Sequence, residues 1–135
     1  MGITLDIAKK MLSAGKKEAR KLGIPCSVAI VDDNGWLVAL HRMDGALIPT
    51  ADIARDKAWT AAVFKVPSST IAQFGNPSSP DFGFNTQNWN DRLTTIPGGL
   101  PIESGSEVIG GAGVCGGTPE QDVTICRAAM AATHD

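Results

Sequence analysis

The chain contains no tyrosine, only two histidines and only three cysteines in 135 residues. Each scarcity removes a class of protein. Cys26, Cys115 and Cys126 are odd in number and sit in apolar settings, which fits buried, reduced thiols better than a disulfide framework. No C-x-x-C pair and no Cys/His cluster occurs, so a metal site has no ligand set to draw on. His134 is penultimate and reads as tail, leaving His41 as the one imidazole inside the fold. The net charge is −2 and no Lys/Arg-rich run carries interleaved aromatics, so nucleic acid is not an expected partner. No apolar run approaches the ~20 residues that span a bilayer. The N-terminus opens into an amphipathic helix without a basic n-region or an apolar h-region. The expectation is a cytoplasmic protein that makes no use of a membrane.

What is present describes one globular domain over residues 1–135, with 43% hydrophobic and 19% charged residues. Thr4 is a good N-cap for a first helix in which Leu5, Ala8, Met11, Leu12, Ala19 and Leu22 recur at helical spacing. Lys9, Lys10, Lys16, Lys17, Glu18 and Arg20 form its wet side, expected to be a solvated face. Gly23 and Pro25 stop it. Ser27–Val31 and Trp36–His41 read as two strands joined by Asp32-Asp33-Asn34-Gly35, a strong hairpin signal. Both are almost wholly apolar, which predicts cover on both faces. A second, alanine-rich helix runs from about Thr50 to Phe64, followed by a short helical turn through Phe74. Residues 75–92 form a long polar loop, and loops of that length in small domains are usually functional. Thr94–Ile96 and Leu100–Ile102 read as strands around Pro97-Gly98-Gly99, and Val108–Val114 as the last strand. Thr118, Pro119 and Gln121 form a capping box that starts the final helix, whose Val123, Cys126 and Met130 face inward. The fold class is therefore α+β, with a mainly antiparallel sheet packed between helices.

Five of the eight residues 110–117 are glycine. Gly111, Gly113 and Gly116 fit G-x-G-x-x-G, but residues 118–135 are too few for the second strand and acidic ribose ligand of a dinucleotide fold. Glu120 and Asp122 would also repel a phosphate at that helix start. The better reading is a strand whose backbone must lie very close to a neighbour or to a flat ligand.

The segments Val28–Gly35, Arg42-Met43-Asp44-Gly45-Ala46, Ala54–Ala61 with Lys57, and Pro97–Ile102 leading into Ile109–Asp122 stand in this order along the chain. Together these four resemble the GlcG/HbpS family, which includes haem-binding proteins and the C-terminal domain of PduO-type proteins. The resemblance covers nearly the whole chain. It implies a profilin-like α/β sandwich assembled into homo-oligomers, dimers or larger. It also implies a cleft near the Arg-x-Asp-Gly strand end, the Lys-bearing helix and the Gly-Gly turn.

The candidate site residues each carry two readings. His41 either fills a strand-end position or serves as a general acid/base or axial metal ligand. Arg42 and Asp44 either pair with each other or leave Arg42 as a bidentate carboxylate fork with Asp44 beside it. Lys57 is either a snorkelling lysine or one that meets an anion at a packed helix face. Trp89 is a lid aromatic or a subunit contact, Trp36 and Trp59 belong to the core, and Glu103 and Glu107 face solvent. The leading functional reading is binding of a small oxygenated, carboxylate-type metabolite in a catabolic pathway, with isomerisation, hydration or cleavage as the candidate reactions. There Arg42 and Lys57 hold the anion, His41 moves a proton, and the N–H groups of Gly98 and Gly99 stabilise oxyanion charge. The alternative is a non-enzymatic haem-binding or haem-sensing protein, with a propionate on Arg42 or Lys57. A third is an assembly partner of a catabolic enzyme complex. No motif demands a cofactor, and haem is the one that the resemblance admits.

Overall fold

The computed structural model describes residues 2–80, 82 and 90–134, the last without its side chain. Helix α1 spans Leu5–Leu22. The Thr4 hydroxyl accepts the Ile7 N–H at 3.2 Å, and Gly23 ends the helix in the left-handed region at φ 72°. Its buried stripe is Ala8, Met11, Leu12, Gly15 and Ala19. Strand β1 (Ser27–Asp32) turns into β2 (Leu37–Arg42). The Asp32 carboxylate ties that turn by accepting the N–H groups of Asn34 and Trp36, both at 2.9 Å. Helix α2 follows over Pro49–Phe64, then a 3-10 segment over Ser68–Gly75. Strands β3 (Gly99–Ser104) and β4 (Glu107–Cys115) form a second hairpin. The capping box at Thr118 opens helix α3 (Pro119–Ala131), which runs on into a 3-10 turn at Ala132–His134.

The four strands lie in the order β2-β1-β4-β3, every neighbouring pair antiparallel. The α+β class with an antiparallel sheet between helices is what the sequence pattern implied. Helices α1 and α3 cover one face, where Met11, Leu12, Val28, Ile30, Ile102, Val114 and Ile125 form the main core. Each large apolar side chain buried there contributes about 1.5–3 kcal/mol. Helix α2 covers the other face over a thinner layer of Ala29, Val31, Ala54, Ala58 and Ala62.

That thin layer explains the glycines of β4. A Cβ placed on Gly111 would run into the Ala58 carbonyl, and one on Gly113 into the Ala54 carbonyl. On neighbouring β3, a Cβ on Gly99 would strike the Lys57 carbonyl. Helix α2 therefore lies with its backbone directly on the backbone of β3 and β4. The close neighbour that the glycine run called for is this helix. The same geometry accounts for the alanines of α2, since any longer side chain would lift it off the sheet.

Several local expectations are corrected. Thr94–Ile96 is not a strand. It belongs to an irregular segment held by side chains: Thr60 Oγ1 donates to the Arg92 carbonyl (3.2 Å) and accepts the Thr94 N–H (3.0 Å), and Ser68 Oγ donates to the Ile96 carbonyl (2.7 Å). Strand β2 is a sheet edge with Leu37 49% exposed, so cover on both faces holds for β1 alone. Trp59 is buried as expected, but Trp36 is 63% exposed with the Arg92 guanidinium 5.5 Å from its ring centre. Cys26 and Cys126 are buried and Cys115 is half-buried, and all three are free thiols. Val123 and Met130 are likewise half-buried, and Asp122 and Ile125 take the inner positions of α3 with Cys126 and Ala129. Glu103 and Glu107 face solvent, as the turn between them suggested.

Candidate ligand-binding site

The predicted site residues fall into two groups at opposite edges of the sheet. His41 and Arg42 end β2, and Asp44 follows in the turn. With Met43 and with Lys16 and Arg20 of α1, they line an open cleft of about 440 Å³. His41 pairs with Val28, whose side chain lies in the core under α1, so the imidazole projects toward that helix. Partial burial, and then the Lys16 ammonium, push its pKa below the ordinary value. The ring is thus neutral at pH 7 and presents a nitrogen lone pair. Arg42 forms no ion pair with Asp44; its Nη1 donates to the Ala46 carbonyl at 3.0 Å, which braces the turn and holds the guanidinium at the cleft.

Lys57, Gly98 and Gly99 come together elsewhere. Gly99 pairs with Gly113, Gly113 with Ala29, and Ala29 with Leu40 beside His41. Three strand spacings put the Gly-Gly turn about 14 Å from the His41 end of β2. The Lys57 side chain is 1% exposed, and its Nζ donates to the Val114 carbonyl (2.8 Å) and to Asp122 Oδ2 (3.0 Å). Asp122 Oδ1 accepts the Gly117 N–H at 2.9 Å. Burial raises the Asp122 pKa, opposed by the Gly117 N–H and by Lys57. The anionic partner that a buried lysine needs is therefore internal, a carboxylate on α3. Gly98 has φ 127°, and a Cβ there would approach Lys57 Nζ to 2.9 Å, so glycine leaves room for the ion pair. The Gly99 N–H is already donated to Ser68 Oγ at 3.0 Å. Within one subunit the structure brings His41, Arg42 and Asp44 together and sets Lys57, Gly98 and Gly99 apart. Trp89 lies outside the described residues.

Lys16 and Arg20 are the cleft residues that the sequence reading assigned to solvent. A signal was available: they are one helical turn apart, and neither has an acidic residue three or four positions away. Among the described residues, no group of three or more His, Cys, Asp or Glu side chains could hold a metal ion, and no helix is long and apolar enough to cross a membrane.

Fold and cleft together define an α+β domain of one antiparallel sheet between helices, with a cation-lined opening at one strand end. The chain belongs to the HbpS-like family, described as "Haem degrading protein HbpS-like", which it matches over residues 3–131. It is 34% identical over 128 residues to a 15.0 kDa protein of the dhaT–dhaS intergenic region of Citrobacter freundii, covering 95% of this chain and 89% of that one. Protein GlcG of Escherichia coli K12 is 33% identical over 112 residues, covering 83% of this chain and 80% of the relative. A solved structure described as a PduOC:haem complex superposes with a TM-score of 0.89 at 29% identity, over 98% of this chain and 95% of the other. The chain's relatives thus include a protein solved in complex with haem, a protein of the dhaT–dhaS region and protein GlcG.

Proposed function

We propose that this protein binds haem at the His41 cleft. The carrying observation is an accessible imidazole, its pKa lowered, in the same opening as Lys16, Arg20 and Arg42. Haem needs an axial ligand, cations for its propionates and apolar contact for its plane; the imidazole and cations of the cleft fit the first two needs, and Met43 is the apolar side chain that lines it. His41 supplies the nitrogen ligand, and Arg42 supplies a guanidinium suited to a carboxylate. Met43 lines the cleft, and Leu47 and Ile48, which are 75% and 77% exposed, follow on the adjoining loop. When bound, the iron centre would bring redox and ligand-binding chemistry; the protein's part is to ligate, orient and neutralise charge. In this reading Lys57, Gly98 and Gly99 hold the fold, and Asp44 limits how much anion the cleft accepts.

The test is haemin titration of the intact protein. A Soret band that saturates at a fixed stoichiometry and is lost in His41→Ala supports the proposal. Titration that is identical in His41→Ala defeats it.

A second reading, binding of a small carboxylate metabolite with His41 as proton carrier, is supported by the openness of the cleft, which Met43 alone lines with an apolar side chain. The two readings respond oppositely to acid. Protonation of His41 removes an iron ligand but adds a cation for a small anion.

Self-association belongs to the same proposal. Leu47, Ile48, Trp36 and Leu37 are exposed around β2 and the start of α2, apolar side chains that contact with a second copy would cover. Three free thiols are consistent with a reducing, cytoplasmic setting.

A further inference from the structure

The α1 wall of the cleft poses a problem that His41 and Arg42 do not solve. Lys16 and Arg20 are four residues apart on α1, so their side chains are neighbours, about 5–6 Å between Cβ atoms. Like charges at this spacing destabilise a helix. Among the described residues neither Lys16 nor Arg20 is matched by a carboxylate, whereas Lys21 pairs with Glu18 and Lys57 with Asp122. Both turn into the same opening as Arg42, which reaches it from the strand side, and Asp44 is the single acid there. Three cations against one anion in a protein of net charge −2 is a local excess of positive charge. The arrangement has two walls: Lys16 and Arg20 on the helix, and Arg42, braced by the Ala46 carbonyl, at the strand end.

We infer that the cleft selects ligands carrying two carboxylates, one taken by the Lys16–Arg20 pair and the other by Arg42. This deepens the haem reading and rests on it for the planar tetrapyrrole, but it assigns selection to the carboxylates and not to the iron. A metal-free porphyrin dicarboxylic acid should therefore bind, and a ligand with both acids esterified should bind poorly whether or not it holds iron.

The experiment uses the intact protein and the variant Lys16→Gln/Arg20→Gln, with glutamine chosen to keep helix propensity and side-chain length. Probes are haemin, its dimethyl ester and metal-free protoporphyrin IX, the last followed by its fluorescence; circular dichroism and thermal melting check that the variant is folded. The parent is expected to bind both free acids at least about tenfold more tightly than the ester, the scale of a lost charge-assisted contact. The Gln variant should lose the Lys16–Arg20 share of that preference and keep only the part that Arg42 supplies, while its weak ester affinity stays unchanged. Equal parental affinity for acid and ester, or a folded Gln variant that keeps the full preference, overturns the inference. Failure of the haem reading looks different: His41→Ala leaves the haemin spectrum unchanged, while the acid-over-ester preference for the metal-free porphyrin persists.

Discussion

Replacing Lys57 by methionine tests whether this lysine serves the interior or a ligand. Its ammonium is 3.0 Å from Asp122 Oδ2 and 2.8 Å from the Val114 carbonyl, with both side chains almost wholly buried. Methionine keeps most of the volume and removes the charge. The Asp122 carboxylate then keeps the Gly117 N–H but loses its counter-ion. Breaking a buried pair from one side typically costs about 3–5 kcal/mol, because the orphaned charge stays out of water. For a domain of this size each kcal/mol lowers the melting temperature by about 3–5 °C, giving a drop of roughly 10–20 °C at neutral pH. The defect should shrink in acid. Burial already raises the Asp122 pKa in the folded state, and loss of Lys57 raises it further. Between the unfolded and folded pKa values the native state then binds more protons than the unfolded one, so stability falls as pH rises through that window and returns as pH drops. Calorimetric melts of Lys57→Met between pH 4.5 and 7.5, beside the parent, measure both effects. A variant that melts like the parent at pH 7, or whose defect grows in acid, would refute the reasoning. A folded Lys57→Met that also loses haemin binding would return Lys57 to the ligand site.

Other outcomes follow from the same geometry. Gly113→Ala should strongly destabilise the fold, since its Cβ meets the Ala54 carbonyl; overpacking costs about 1–3 kcal/mol even where side chains can yield, and a helix backbone yields less. Gly75→Ala, with open space around its Cβ, should leave the urea midpoint nearly unchanged and serves as the control. Haemin affinity should fall as pH drops through the lowered His41 pKa, whereas binding of a small carboxylate should rise over the same range; a haemin affinity that rises in acid would favour the second reading. Burial pushes the thiol of Cys26 up to about 11 and that of Cys126 to about 12, so both should resist labelling of the native protein at pH 8, as measured by a timed thiol assay. Light scattering at micromolar concentration should give a mass above the 14.1 kDa of one chain.

The elements and their class were legible in the sequence because local signals write them. The Thr4 cap, the Asp32–Gly35 turn, the Thr118 capping box and the apolar periodicity of α1 act over a few residues, and each stands where it was expected. The glycines of β4 announced a close approach, and only packing could say that α2 makes it. Thr94–Ile96 looked like a strand because β propensity is local, yet Thr60 and Ser68, distant in sequence, claim its backbone groups. The site divides the same way. His41, Arg42 and Asp44 are close in sequence, and they share a cleft. Lys57 invited an anion, but its partner is 65 residues away and buried, a pairing set by strand order and the docking of α3. Lys16 and Arg20 read as a solvated face because amphipathicity separates wet from dry and does not say what stands opposite the wet side. That β2 lies at the sheet edge beside α1, turning two surface cations into one wall of a cleft, is a long-range arrangement that only the tertiary structure decides.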